Sequence, residues 1–161
     1  MKRVVCWVFL VALWLGNSMF GYGLEGAGKE YVKIVCRGDA WSLSVAGNPL
    51  YIKGVGGANR LEVASACGAN AFRTWGGDVE SIRRSLEKAG AAHMYLMQGI
   101  ALPKDPDRYV DNDFKRKKLE EVRLLAETFK DDPALFAWGI GNEIDLDKAN
   151  IPEAWSFVEE L

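Results

Sequence analysis

The feature that most constrains this fold is a regular alternation of strand and helix patterns, which begins near residue 50. Short apolar runs rich in β-branched and aromatic side chains predict strands at residues 50–55, 70–75 and 94–97, and a fourth strand after Pro133. Stretches with apolar side chains at every third or fourth position predict helices at residues 60–67, 81–89, 113–130 and 153–161. Because strands that alternate with helices form parallel sheets, the sequence predicts an α/β fold with four β/α units.

Local signals mark where the predicted helices begin and end. Gly68 and Gly90 follow the first two periodic stretches, and a glycine in the left-handed conformation commonly closes a helix. Pro152 stands in the first turn of the fourth helix, where its missing N–H has no helical partner to lose. These signals agree with the helix positions that the alternation of strands and helices predicts.

The residues before position 50 divide into two further segments. Residues 24–49 hold two alternating runs, 31–35 and 41–45, which predict a short β-rich segment ahead of the α/β part. Residues 1–23 begin with Lys2 and Arg3, continue with an apolar run, and end among small residues. This order predicts a secretory signal peptide and therefore a secreted or periplasmic protein. An uncleaved membrane anchor is the less favoured alternative, because the apolar run is shorter than the roughly 20 residues that a bilayer span needs.

Composition and charge exclude several classes of function. The chain is 49% hydrophobic and 26% charged with a formal net charge of −2, which is ordinary for a globular protein. Its densest basic run, residues 115–118, falls in the longest predicted helix and indicates a solvated helix face. We therefore expect no nucleic-acid partner and, after signal cleavage, no membrane partner. The glycines at 54, 56 and 57 lack the spaced third glycine of a dinucleotide loop, and no metal-ligand spacing is present, so no cofactor and no metal are expected.

The single histidine and the cysteines are interpreted as structural. His93 stands at the start of the third predicted strand, the end remote from the chemistry in barrel enzymes. Cys36 and Cys67 remain once the leader with Cys6 is removed. Because one is in an early strand and the other on a helix, two buried free thiols are favoured over the disulfide that an exported chain permits.

A carboxylate follows the fourth predicted strand. Residues 138–143 read Trp-Gly-Ile-Gly-Asn-Glu after an apolar run, which places Glu143 just past the end of a buried parallel strand. Barrel enzymes carry their catalytic groups at this place, and a carboxylic acid there can protonate a leaving group. Asn142 can bond a hydroxyl without competing for the proton. Taken alone, Asn-Glu is a common dipeptide that often only begins a helix, so the pair does not decide the function.

Four segments occur in an order that matches a known family. They are residues 51–57 (Tyr-Ile-Lys-Gly-Val-Gly-Gly), 68–76 (Gly-Ala-Asn-Ala-Phe-Arg-Thr-Trp-Gly), 133–135 (Pro-Ala-Leu) and 138–143. Together they resemble the catalytic barrel of glycoside hydrolase family 2 and its clan-A relatives, which cleave glycosidic bonds with retention. The resemblance covers residues 50–161. It implies a TIM (β/α)8 barrel of which this chain holds only the N-terminal half, the first four β/α units, and a carbohydrate as the partner.

The resemblance also implies roles for individual residues. Glu143 matches the acid/base carboxylate at the end of strand four, and Asn142 matches the amide that contacts the sugar 2-hydroxyl. Arg73 matches the arginine at the end of strand two that orients the nucleophile, with a structural ion pair as the alternative. Trp75 is a candidate sugar-stacking ring at the end of that strand, whereas Trp138 lies within a strand and is expected in the core.

Two departures from the family pattern shape the expected activity. The loop at residues 101–107 lacks the aromatic residue and histidine of relatives, which puts substrate recognition in doubt. Retention needs a second carboxylate about 5–5.5 Å from the first, and the family places it on strand seven, beyond Leu161. The chain alone is therefore expected to have little or no glycosidase activity.

Alternative functions stay open at this point. A transglycosylase would use the same residues, and a non-catalytic carbohydrate-binding or interaction remnant would bind without turnover. Another alternative is an inverting arrangement, which would pair Glu143 with Asp78 in the loop after the second strand. Asp145 and Asp147 lie on the same face. The open edges of half a barrel also predict self-association.

Overall fold

The structure, a computed structural model, describes residues 32–144 and 152–161. They belong to one compact unit, Tyr31–Leu161, which contains a three-stranded sheet and a four-stranded sheet. The predicted signal peptide, residues 1–23, lies outside the described residues, as do Asp145 and Asp147. Within the described residues, no helix combines the length and the apolar character that crossing a membrane requires.

The smaller sheet is antiparallel and precedes the α/β part of the chain. Its strands are β1 (Val32–Arg37), β2 (Ala40–Val45) and β3 (Asn48–Leu50). β2 pairs with β1 on one side and with β3 on the other. Both predicted early strands are present, and the chain after the second one turns into β3.

The larger sheet is parallel, which confirms the predicted α/β class. It consists of β4 (Gly54–Gly56), β5 (Ala71–Arg73), β6 (Tyr95–Ile100) and β7 (Leu135–Ile140). These strands lie side by side in chain order, and each neighbouring pair is parallel. A helix separates each strand from the next, as the alternation predicts.

Helices cover one face of this parallel sheet. They are α1 (Leu61–Ala66), α2 (Val79–Ala92) and α3 (Asn112–Phe129), and α4 (Pro152–Glu160) follows β7. Phe72, Leu96 and Leu135 are register partners and share a face of the sheet. They pack with apolar side chains of the first three helices, namely Leu61, Ile82, Leu86, Ala89, Leu125 and Phe129. Burial of this single continuous face holds the strands in place.

A second apolar cluster anchors the last helix. A 3₁₀ turn, Pro106–Tyr109, precedes α3, and the Tyr109 ring is buried against Phe157 and Ala154 of α4. Ile144, just beyond the end of β7, belongs to the same cluster. Ile144 and α4, which lie before and after residues 145–151, are therefore packed into the same cluster as the 3₁₀ turn that precedes α3.

The predicted strand at residues 50–55 is divided in the structure. Leu50 ends β3 and pairs with Leu43 of the small sheet, and the parallel sheet begins only at Gly54. The Asn70 side chain bonds the chain in between, accepting from the Lys53 N–H at 2.8 Å and donating to the Tyr51 carbonyl at 2.8 Å. The Asn70 backbone N–H also donates to the Lys53 carbonyl at 3.0 Å, so this one residue holds the stretch through both its side chain and its backbone.

Of the two glycines predicted to end helices, Gly68 does so and Gly90 does not. Gly68 has φ of 88° and follows the last residues of α1, as predicted. Gly90 lies inside α2, which continues to Ala92 and ends with His93 in the left-handed conformation at φ of 52°. The prediction that Gly90 ends the helix is wrong, because the helix continues to Ala92, which packs against the core cluster.

The predicted burial of the cysteines is also wrong. Cys36 and Cys67 are both free thiols, and both are exposed. Cys36 pairs across the small sheet with Trp41, which is itself exposed, and Cys67 follows the last turn of α1. Neither position is on the face that packs into the core.

Candidate active site at the carboxyl edge of the sheet

The candidate residues follow the carboxyl ends of the parallel strands. The Gly57 N–H donates to the Arg73 carbonyl at 2.8 Å, the Thr74 N–H to the Met97 carbonyl at 3.1 Å, and the Gly141 N–H to the Ile100 carbonyl at 2.8 Å. Backbone pairing therefore extends one residue past β4, β5 and β7. This places the side chains that follow on a rigid edge.

Arg73 links the ends of two strands that are not neighbours. Its Nη2 atom donates to the Asn142 Oδ1 atom at 3.1 Å and lies 3.4 Å from the Gly141 carbonyl oxygen. β6 lies between the strands that carry Arg73 and Asn142, so the arginine side chain spans the width of a strand. Two of the predicted site residues are thus in direct contact, and Glu143 is the next residue along the chain.

The charge of Arg73 meets only neutral acceptors among the described residues. The guanidinium bonds an amide oxygen and a carbonyl oxygen, and its buried Nε atom has no hydrogen-bond partner within the described part of the chain. A buried donor without an acceptor is unfavourable, and an arginine fork is well suited to a carboxylate. No described residue therefore neutralises the charge of Arg73, and the site favours an anion beside it.

Trp75 lies at the same edge with half of its surface free. It is 49% exposed, and the Arg73 guanidinium carbon lies 5.9 Å from the ring centroid, within cation–π range. A Cβ at Gly56 would come within 3.1 Å of the indole Cη2 atom, so the ring lies against the end of β4. Trp138, by contrast, packs against the core cluster, as predicted.

Glu143 points toward solvent rather than into the core. Its side chain is 57% exposed, and its Oε2 atom lies 3.6 Å from the Lys104 Nζ atom. The residue has φ of 52°. Lys104 belongs to the loop after β6. An ion pair this exposed contributes little to stability, which leaves both side chains available to a ligand.

Asp78 serves as a helix cap. Its Oδ1 atom accepts from the Ser81 N–H at 2.8 Å at the start of α2, and this bond lowers the pKa of the Asp78 carboxyl below its ordinary value of 3.8. Capping accounts for the position of this acid. His93 caps the other end of α2, just before β6 begins, remote from the carboxyl edge.

Three residues near the site were not singled out from the sequence. Gln98 is a fully buried polar residue in β6, Thr74 bonds it from the end of β5, and Lys104 contacts Glu143. A glutamine inside an apolar strand can be recognised in the sequence as a candidate buried polar residue. The contacts of Thr74 and Lys104 depend on packing that no local pattern reveals.

Neither a protein-family model nor a curated protein sequence matches the chain. A solved structure, the beta-D-mannosidase of Dictyoglomus thermophilum, is similar to 67% of this chain at 17% identity, with a TM-score of 0.47. The match spans 15% of the chain of that protein. Within residues 32–144 and 152–161, no group of three histidine, cysteine or acidic side chains is arranged to hold a metal ion.

Proposed function

We propose that this chain forms part of the catalytic barrel of a retaining glycoside hydrolase of the family 2 type, with Glu143 as the acid/base residue. The observation that carries the proposal is the contact of Arg73 with Asn142, at 3.1 Å, beside Glu143 at the carboxyl edge of a parallel sheet. Four parallel strands are half of the eight that close such a barrel.

The orientation of Asn142 suits a sugar hydroxyl. Its Oδ1 atom accepts from Arg73, so the Nδ2 hydrogens are the donors that the amide can offer to a ligand. A hydroxyl oxygen next to the reacting carbon would accept such a bond. Trp75, half exposed and 5.9 Å from the Arg73 guanidinium carbon, supports the proposal as an apolar surface on which a sugar ring could lie.

In the proposed reaction Glu143 acts first as an acid and then as a base. A carboxylate held beside Arg73 attacks the anomeric carbon, and Glu143 donates its proton to the departing oxygen. In the second step Glu143 takes a proton from water, which then releases the sugar. The described residues place no carboxylate on Arg73, so in this proposal the nucleophile comes from outside them.

An external nucleophile tests the proposal on the 161-residue chain. Azide can attack the anomeric carbon as the bond to the aryl oxygen breaks. The proton from Glu143 goes to that oxygen, and Glu143 regains a proton from water. With a panel of α- and β-linked aryl glycosides we expect azide-dependent release of the phenol and a glycosyl azide of inverted configuration. Glu143→Gln should lower the rate on phenyl glycosides by about 10²–10⁴-fold and should affect dinitrophenyl glycosides far less.

The control is Glu127→Gln, which makes the same change at an exposed position on α3 and should react as the wild type does. Equal azide-dependent rates in Glu143→Gln and the wild type on phenyl glycosides would remove Glu143 from the acid role. Sugar binding at Trp75 without turnover of any glycoside would instead favour the non-catalytic carbohydrate-binding function.

A further inference from the structure

A buried polar side chain lies directly behind the candidate site. Gln98, in the middle of β6, is 0% exposed and is the single buried polar or charged residue among those the structure describes. Leu96 and Ile100, two positions away on either side in β6, belong to the apolar core cluster. A buried amide is unfavourable unless its donors and acceptor are bonded, so the contacts of Gln98 indicate why this position tolerates it.

The contacts of Gln98 form a short closed network with Thr74. The Thr74 hydroxyl donates to the Gln98 Oε1 atom at 2.9 Å, and the Gly99 N–H donates to the Thr74 Oγ1 atom at 3.3 Å. The Gln98 Nε2 atom donates to the Gly99 carbonyl at 2.9 Å. Each side chain therefore holds the other in one orientation, and both are tied to the backbone of β6.

The same network fixes the backbone that carries two candidate site residues. Thr74 stands between Arg73 and Trp75. A Cβ at Gly99 would come within 2.4 Å of the Thr74 carbonyl oxygen and 2.5 Å of the Trp75 Cα atom, so this segment lies directly on the glycine. The Thr74 N–H also donates to the Met97 carbonyl. The chain leaving β5 is thus held to β6 by backbone, side chain and close packing together.

We propose that Thr74 and Gln98 are positioning residues of the candidate site, whose hydrogen-bonded side chains set where the Arg73 guanidinium and the Trp75 indole lie. The pair touches no ligand itself and acts through its two neighbours. Its importance for catalysis rests on the proposed function, whereas the positioning can be measured without any turnover.

The test compares Thr74→Val with Thr74→Ser in the 161-residue chain. Valine keeps the shape and removes the hydroxyl, whereas serine keeps the hydroxyl. The readouts are the ¹H–¹⁵N NMR signals of the Arg73 Nε–H and the Trp75 indole N–H, assigned with Arg73→Lys and Trp75→Phe. We expect both signals to shift in Thr74→Val and to return to the wild-type positions in Thr74→Ser.

A second pair of variants separates positioning from general destabilisation. Thr128→Val removes a hydroxyl that bonds the Leu124 carbonyl within α3 and should leave both signals in place. Gln98→Met removes both amide bonds but keeps the length of the side chain, and it should shift both signals. It also serves if Thr74→Val does not fold. Wild-type signal positions in the folded variants, with only a lower melting temperature, would overturn the proposal and leave the pair a purely structural role.

Discussion

Arg73 is the residue whose surroundings say most about the site. Its position at the end of a parallel strand could be predicted, because the carboxyl ends of such strands meet at one edge. Its bond to Asn142 across an intervening strand could not, because the reach and direction of a long side chain depend on the twist of the sheet and on what fills the space between. The same limit applies to Lys104, which meets Glu143 only through the path of a loop.

Two aspartates of the chain serve as helix caps. Asp78 caps α2, and Asp111 caps α3 by accepting from the Asp113 and Phe114 N–H groups. These bonds lower the pKa of both carboxyls below their ordinary value of 3.8. A carboxylate whose pKa is lowered by folding stabilises the fold fully above its ordinary pKa, and that contribution is lost as the pH falls through the lower value.

We therefore expect the melting temperature to fall as the pH is lowered below about 4. Asp78→Asn should weaken this pH dependence, because asparagine keeps the capping oxygen but has no carboxyl group to protonate. Circular dichroism melts across this pH range measure the effect. Asp39→Asn, in the turn between β1 and β2, is the control and should leave the profile as it is in the wild type. Parallel profiles for Asp78→Asn and the wild type would count against the capping assignment.

The elements themselves show what local patterns can and cannot supply. Alternating apolar runs and periodic stretches place all four parallel strands and all four helices, because burial of one face is a local property of the sequence. The boundaries differ where a tertiary contact decides them. Asn70 holds residues 51–53 through its side-chain amide, and the packing of Ala92 against the core cluster accompanies the continuation of α2 past Gly90.

Alanine substitutions at two glycines should change the free energy of unfolding in opposite directions. Gly90 lies in α2 with nothing within 4 Å of an added Cβ, so Gly90→Ala should raise the free energy of unfolding by about 0.5–1 kcal/mol through helix propensity. Gly99 lies against the backbone of Thr74 and Trp75, so Gly99→Ala should lower it by about 1–3 kcal/mol or more, as overpacking does. Urea denaturation measures both, and equal effects would contradict the close approach of β5 and β6.

At the scale of the whole molecule, the parallel sheet has two open edges. Among the described residues, β4 and β7 each pair on one side only. A strand with an unpaired side offers backbone donors and acceptors to another chain. The sequence could indicate the parallel architecture and these edges, but not what pairs with them, because that depends on residues remote in the chain or on another molecule.

We expect the 161-residue chain to self-associate with rising concentration, as sedimentation velocity would show. A lysine on an edge strand opposes such pairing, so Val55→Lys, at a β4 position that is 37% exposed, should shift the distribution toward monomer. Val63→Lys, on α1 and 53% exposed, makes the same change away from the edge and should have no such effect. A monomer at every concentration would contradict the expectation.

The backbone at Glu143 has a consequence of its own. At φ of 52° this residue is in the left-handed region, which costs a residue with a side chain about 1–2 kcal/mol and costs glycine almost nothing. Glycine would relieve this cost, but it would also remove the carboxylate and its contact with Lys104. Position 143 can therefore hold either the carboxylate or the less strained backbone, and this chain holds the carboxylate.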